Sequence, residues 1–60
     1  MNVGDTYELR LREADGTISV DAPVTVLGFC ESDRHPCVRV ERSDGELSWV
    51  SADELCELVL

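Results

Sequence analysis

Apolar and polar residues alternate along most of the chain, the period of a β-strand with one covered face. Tyr7, Leu9 and Leu11 alternate with Glu8, Arg10 and Arg12. Asp15-Gly16 follows as a hairpin signal, and Ile18 and Val20 then alternate with Ser19 and Asp21. Ala22-Pro23 interrupts the run, because proline has no amide to donate to a ladder. Val24, Val26, Leu27 and Phe29 make a third, more apolar segment. Gly28 within it marks a bulge that would turn both Val26 and Phe29 inward. A polar stretch over residues 31–36 reads as a loop. Val38 and Val40 resume the alternation, Ser43-Asp44-Gly45 is a second turn, and Leu47, Trp49 and Val50 lie in the next strand. Ser51 and Glu54 have the spacing of a capping box, in which each satisfies an amide near the other. One short 3₁₀ or helical turn is therefore expected near residues 52–55. Leu58, Val59 and Leu60 are expected to close the chain as a last short strand.

Five to six short antiparallel strands in 60 residues predict one all-β domain over residues 1–60. A small barrel is favoured because closure removes exposed edges, with a flatter antiparallel sheet carrying one helical turn as the alternative. A chain of this length buries only about 60% of its unfolded surface, which leaves little room for an enclosed substrate cavity.

Particular segments strengthen the barrel reading. Asp44-Gly45-Glu46, leading into Trp49-Val50-Ser51-Ala52-Asp53-Glu54-Leu55, resembles the ending of SH3-like small barrels. In those a hairpin passes through a strand into a one-turn 3₁₀ helix and a closing strand. Val3-Gly4-Asp5-x-Tyr7 is similar to their first strand, and Val24-Thr25-Val26-Leu27-Gly28-Phe29 to their second or third. The resemblance implies a fold and no particular activity. It does not extend to the aromatic groove that binds proline-rich peptides, since Tyr7, Phe29 and Trp49 are the only aromatic residues.

Charge adds a second dimension. Thirteen acidic residues face five basic ones, all arginine, for a net charge of −8. A large acid excess without lysine resembles proteins of extreme halophiles, and with the segments above the chain most resembles small SH3-like proteins of halophilic archaea. Carboxylates keep a surface hydrated at multimolar salt, where long lysine stems would expose apolar area. Such a chain is expected to loosen in dilute salt. At multimolar salt the Debye length falls to about 3 Å, so net charge there says little about which partners are repelled.

No apolar run approaches the ~18 residues of a membrane helix, and the N-terminal residues carry neither a basic region nor an apolar signal segment. A cytoplasmic location without membrane contact is the expectation. Three cysteines in such a compartment argue against a disulfide framework.

Cys30, His35, Cys37 and Cys56 are the only soft metal-ligand set. Their spacing is not that of a zinc knuckle, so no metal or other cofactor is expected, and the cysteines read as small apolar residues. Cys30 and Cys37 flank one loop and could form a reversible redox pair, although a reducing cytosol favours inert thiols. The acids form no general acid–base pair and the single His35 completes no nucleophilic set, so no catalytic residue is assigned and an enzyme is not expected. Three functions stay in view: a module that docks another protein, a nucleic-acid-binding barrel, and a zinc-stabilised or thiol-redox domain. The docking reading rests on Trp49 and Leu47, which alternation turns outward if Val50 points in. The alternative is that a bulge buries Trp49 as the core anchor. Tyr7 reads as core with its hydroxyl at the rim, and joins the candidate partner-binding residues there.

Overall fold

The computed structural model describes residues 1–30 and 37–58. It is all-β. The strands are β1 (Thr6–Arg12), β2 (Ile18–Phe29), β3 (Cys37–Glu41), β4 (Leu47–Ser51) and β5 (Leu55–Glu57), with one 3₁₀ turn, Ala52–Glu54, between the last two. All five belong to one antiparallel sheet in the order β4-β3-β2-β1-β5.

The two Asp-Gly segments form matching turns. Gly16 donates to the carbonyl of Glu13 and Gly45 to that of Arg42. In each turn the Asp side chain accepts the amide two residues on, Asp15 from Thr17 and Asp44 from Glu46. Gly16 and Gly45 have φ of 88° and 89°, the left-handed region in which a Cβ is penalised. This geometry fixes the register of both hairpins.

The two middle segments of the sequence are one strand. β2 runs through Ala22-Pro23 without ending, and the β1–β2 register slips by one residue between the pairs Tyr7↔Val24 and Leu9↔Asp21. The extra residue of β2 is absorbed as a bulge, so proline leaves the ladder locally without breaking the strand. A second slip lies between Val26↔Val40 and Gly28↔Arg39, at the bulge expected from Gly28. Val26 is buried, whereas Phe29, opposite the buried Val38 but at the strand end, keeps 50% of its surface exposed.

Leu9, Val24, Val26, Val38, Val40 and Val50 form the core, with Tyr7, Leu11, Ala52 and Leu55 packed against it. Every strand contributes. One face of one sheet can meet itself this way only by curling. The curl stops short of a barrel, because β4 and β5 are the outer strands and do not pair. The 3₁₀ turn carries the chain from one edge of the sheet to the other, and β5 is only three residues long. The turn has the expected capping box: Ser51 accepts from Asp53 N–H, and Glu54 accepts from Ser51 N–H at 2.9 Å. The closing strand is Leu55–Glu57 rather than the expected 58–60; Leu58 lies outside it, and residues 59–60 are outside the described residues.

Ile18 and Val20 point to solvent, at 50% and 58% exposure, while Asp21 turns toward the second hairpin. Asp21 accepts from the hydroxyl and amide of Ser43 and pairs with Arg42 Nε at 3.3 Å. These contacts tie β2 to the β3–β4 turn. They hold the Asp21 carboxyl below its usual range, chiefly through the Ser43 hydroxyl. A depressed folded pKa gives stability that is present above the unfolded value of about 3.9 and is lost as pH falls through the folded one. Asp21→Asn is expected to flatten the acid limb of a urea-midpoint-versus-pH profile below about pH 4. An unchanged acid limb would show that the contact is not formed in solution.

Candidate functional site

Strand parity builds the site. Val38, Val40 and Val50 enter the core, so their neighbours Arg39, Glu41, Leu47 and Trp49 stand on the opposite face. Register then sets them side by side, Arg39 opposite Trp49 and Glu41 opposite Leu47. Trp49 is 59% exposed and Leu47 49%. The Arg39 guanidinium lies 5.7 Å from the centroid of the Trp49 ring, within cation–π range. Gly28 sits beside Arg39 on the next strand, and nothing lies within 4 Å of where its Cβ would be. The row Gly28–Arg39–Trp49 is therefore open at one end and stacked at the other.

Of the two readings left open for Trp49, the outward one holds. Leu47 joins it on the same face. Tyr7 does not. It lies on β1, opposite Val24 and Glu57, and packs partly buried against the core. β2 and β3 separate it from β4 in the sheet. Alternation carried no signal that Arg39 would stack on Trp49, because the pairing depends on the register of the second turn.

Among the described residues, the candidate metal set is not brought together. Cys30 and Cys37 are joined in a disulfide, with Cα atoms 5.4 Å apart, and Cys30 N–H donates to the Cys37 carbonyl. Two of the three sulfurs are thus committed to each other, which corrects the expectation of free thiols. The cause is the register of β2 on β3, which closes the ends of these strands at a separation suited to a bridge. Cys56 lies on β5 opposite Glu8 and is a free thiol. His35 falls outside the described residues. No cluster of three metal-binding side chains occurs among the described residues. Nor, among them, is any helix long and apolar enough to cross a membrane.

Two other charged groups are held by near neighbours in the chain. Arg10 bonds Glu8 at 2.6 Å, which raises the Arg10 pKa. Asp15 is held below the usual carboxylate range chiefly by the Thr17 hydroxyl. Both belong to local strand and turn geometry. The arrangement offers an exposed, partly apolar surface on which Arg39 stands opposite Trp49 and Glu41 opposite Leu47. No family model, no curated protein and no solved structure matches the chain.

Proposed function

We propose that this chain is a non-catalytic interaction module that docks another protein through the outer face of β3 and β4. One observation carries the reading: the only tryptophan stands exposed beside exposed Leu47, with its ring flanked by Arg39. Tryptophan and arginine are the residue types that most often anchor interfaces, because each combines large contact area with a polar group. The partner's chemistry follows from charge. Glu41 is on the face, Asp44 and Glu46 border it, and the chain carries −8 overall. A partner surface with an apolar centre and basic rim fits this arrangement. Base stacking on Trp49 is the weaker reading, because among the described residues of β3 and β4 Arg39 is the one cation on this face, and Glu41 lies next to it on β3. The acid excess suits work in concentrated salt, and the test belongs there.

The test compares wild type with Trp49→Ala, Leu47→Ala and, as a control on the other exposed patch, Ile18→Ser. Each is immobilised as bait at multimolar KCl, and retained proteins are identified and remade in pure form. Docking at this face predicts a partner that binds wild type and Ile18→Ser alike, and loses about tenfold or more in affinity with Trp49→Ala. A partner set indifferent to both β4 substitutions sinks the reading.

A further inference from the structure

We propose that β4 is a self-pairing edge, and that two copies of this chain join antiparallel across it, centred on Ser48. The inference concerns the main chain of β4 and does not rest on the docking reading.

The direction of each β4 amide follows from the hairpin. Arg42 N–H donates to the Glu46 carbonyl at 2.7 Å, so that pair is hydrogen-bonded. Antiparallel pairs alternate. In the observed register, Ser48 and Val50 therefore bond β3, while Leu47, Trp49 and Ser51 turn their amides away. Ser51 agrees, since its N–H is taken by Glu54 on the far side. Because β4 ends the sheet, the main-chain groups of Leu47 and Trp49 face outward with no strand beside them among the described residues.

Edges are ordinarily guarded by proline, lysine, bulges or brevity. β5 is guarded by brevity, at three residues. β4, Leu-Ser-Trp-Val-Ser, has none of the other devices. Among the described residues its one guard is the Glu54 carboxylate over Ser51, which leaves a window of Leu47 and Trp49.

The window fits itself in one register. A two-fold axis at Ser48 sets Leu47 against the partner's Trp49 and Trp49 against the partner's Leu47. Both members of each pair turn their amides toward the axis, so each pair exchanges both hydrogen bonds. An axis at Trp49 would call on Ser51, whose amide is occupied. An axis at Leu47 would place Trp49 against the partner's Gly45, in a turn. On the outer face the Ser48 register also completes a charge-balanced row: Arg39, Trp49, the partner's Leu47, the partner's Glu41.

Strength and salt dependence follow. The contact falls well below the ~1,000 Å² of a stable interface, so the dimer is weak, with Kd on the order of 0.1–1 mM. Asp44 comes near the partner's Asp53 and the partner's Glu54, and these like charges repel. Association therefore strengthens with salt as the repulsion is screened, the opposite of binding to a basic partner.

Sedimentation equilibrium of the intact chain, up to about millimolar protein and in dilute and multimolar KCl, is the experiment. A dimer fraction that rises with both is expected. In a mixed isotope-labelled sample, an intermolecular NOE between the two Ser48 α-protons is expected, because the axis residue is a close, non-hydrogen-bonded pair. Trp49→Pro removes an amide that β3 does not use, so it is expected to leave a folded monomer under all conditions. Trp49→Ala is expected to keep the Ser48 contact, which separates this inference from failure of the docking face. A monomer at about millimolar protein in multimolar KCl overturns the proposal, as does a dimer without the Ser48 NOE, and neither result depends on a variant folding.

Discussion

Leu9→Ala is expected to leave almost no folded protein at 25 °C. Leu9 is fully buried and is the only leucine among six buried core residues; the other five are valines. β1 is also the strand through which both β2 and β5 are held, and Leu9 pairs with Asp21 on one side and Leu55 on the other. Truncating a buried leucine costs about 2–5 kcal/mol, made up of lost transfer free energy and the cavity left behind. A domain of this length holds roughly 3–5 kcal/mol in total. With no second core layer to collapse into the gap, the upper half of the range applies. The measurement is amide dispersion and a urea transition, with Leu9→Met as a volume-conserving control expected to cost less than about 1.5 kcal/mol. A cooperative transition in Leu9→Ala within about 1 kcal/mol of wild type would show that the core is not centred on this residue.

Reduction of the Cys30–Cys37 bridge is expected to produce the second large loss. The bridge spans a sequence separation of 7. A cross-link closing a loop of this length lowers the entropy of the unfolded chain by an amount worth about 2.5 kcal/mol. In a domain this small, that corresponds to a melting point lower by roughly 10–20 °C. The double variant Cys30→Ser/Cys37→Ser should melt where the reduced wild type melts, and should no longer respond to a thiol reductant. Cys56→Ser serves as the control, because Cys56 is a free thiol. Equal melting points with and without reductant would show that the bridge contributes nothing to stability.

The two predictions concern opposite kinds of information in the chain. Leu9 as a core residue was legible from alternation alone, since Glu8 and Arg10 flank it. So were the two Asp-Gly turns and the Ser51–Glu54 cap, because each depends on residues within a few positions of one another. The outward face of Trp49 was legible only conditionally, once Val50 was known to point in. The Cys30–Cys37 pair was legible only as the less favoured alternative to inert thiols, because sulfur proximity depends on how β2 registers on β3, and one slipped residue at Leu27 changes that register.

Ile18 and Val20 show the same limit from the other side. Alternation marked them as one face of a strand, and they are, yet that face meets solvent. The Ala22-Pro23 bulge lies between them and the core-facing Val24 and Val26, and a bulge resets which face an alternating pattern serves. Tyr7 was correctly placed near the core, but its separation from Trp49 in the sheet depends on strand order.

Sequence by itself determined the alternating segments, the two Asp-Gly turns, the capped 3₁₀ turn and the all-β class, but neither the continuity of β2 through Ala22-Pro23 nor the place of the closing strand. The features it determined arise from steric and hydrogen-bonding preferences acting over a few residues. Tertiary structure decided the strand order, the unclosed edges, the pairing of Cys30 with Cys37 and the stacking of Arg39 on Trp49. Those depend on register between segments distant in the chain, where a shift of one residue moves every side chain to the other face.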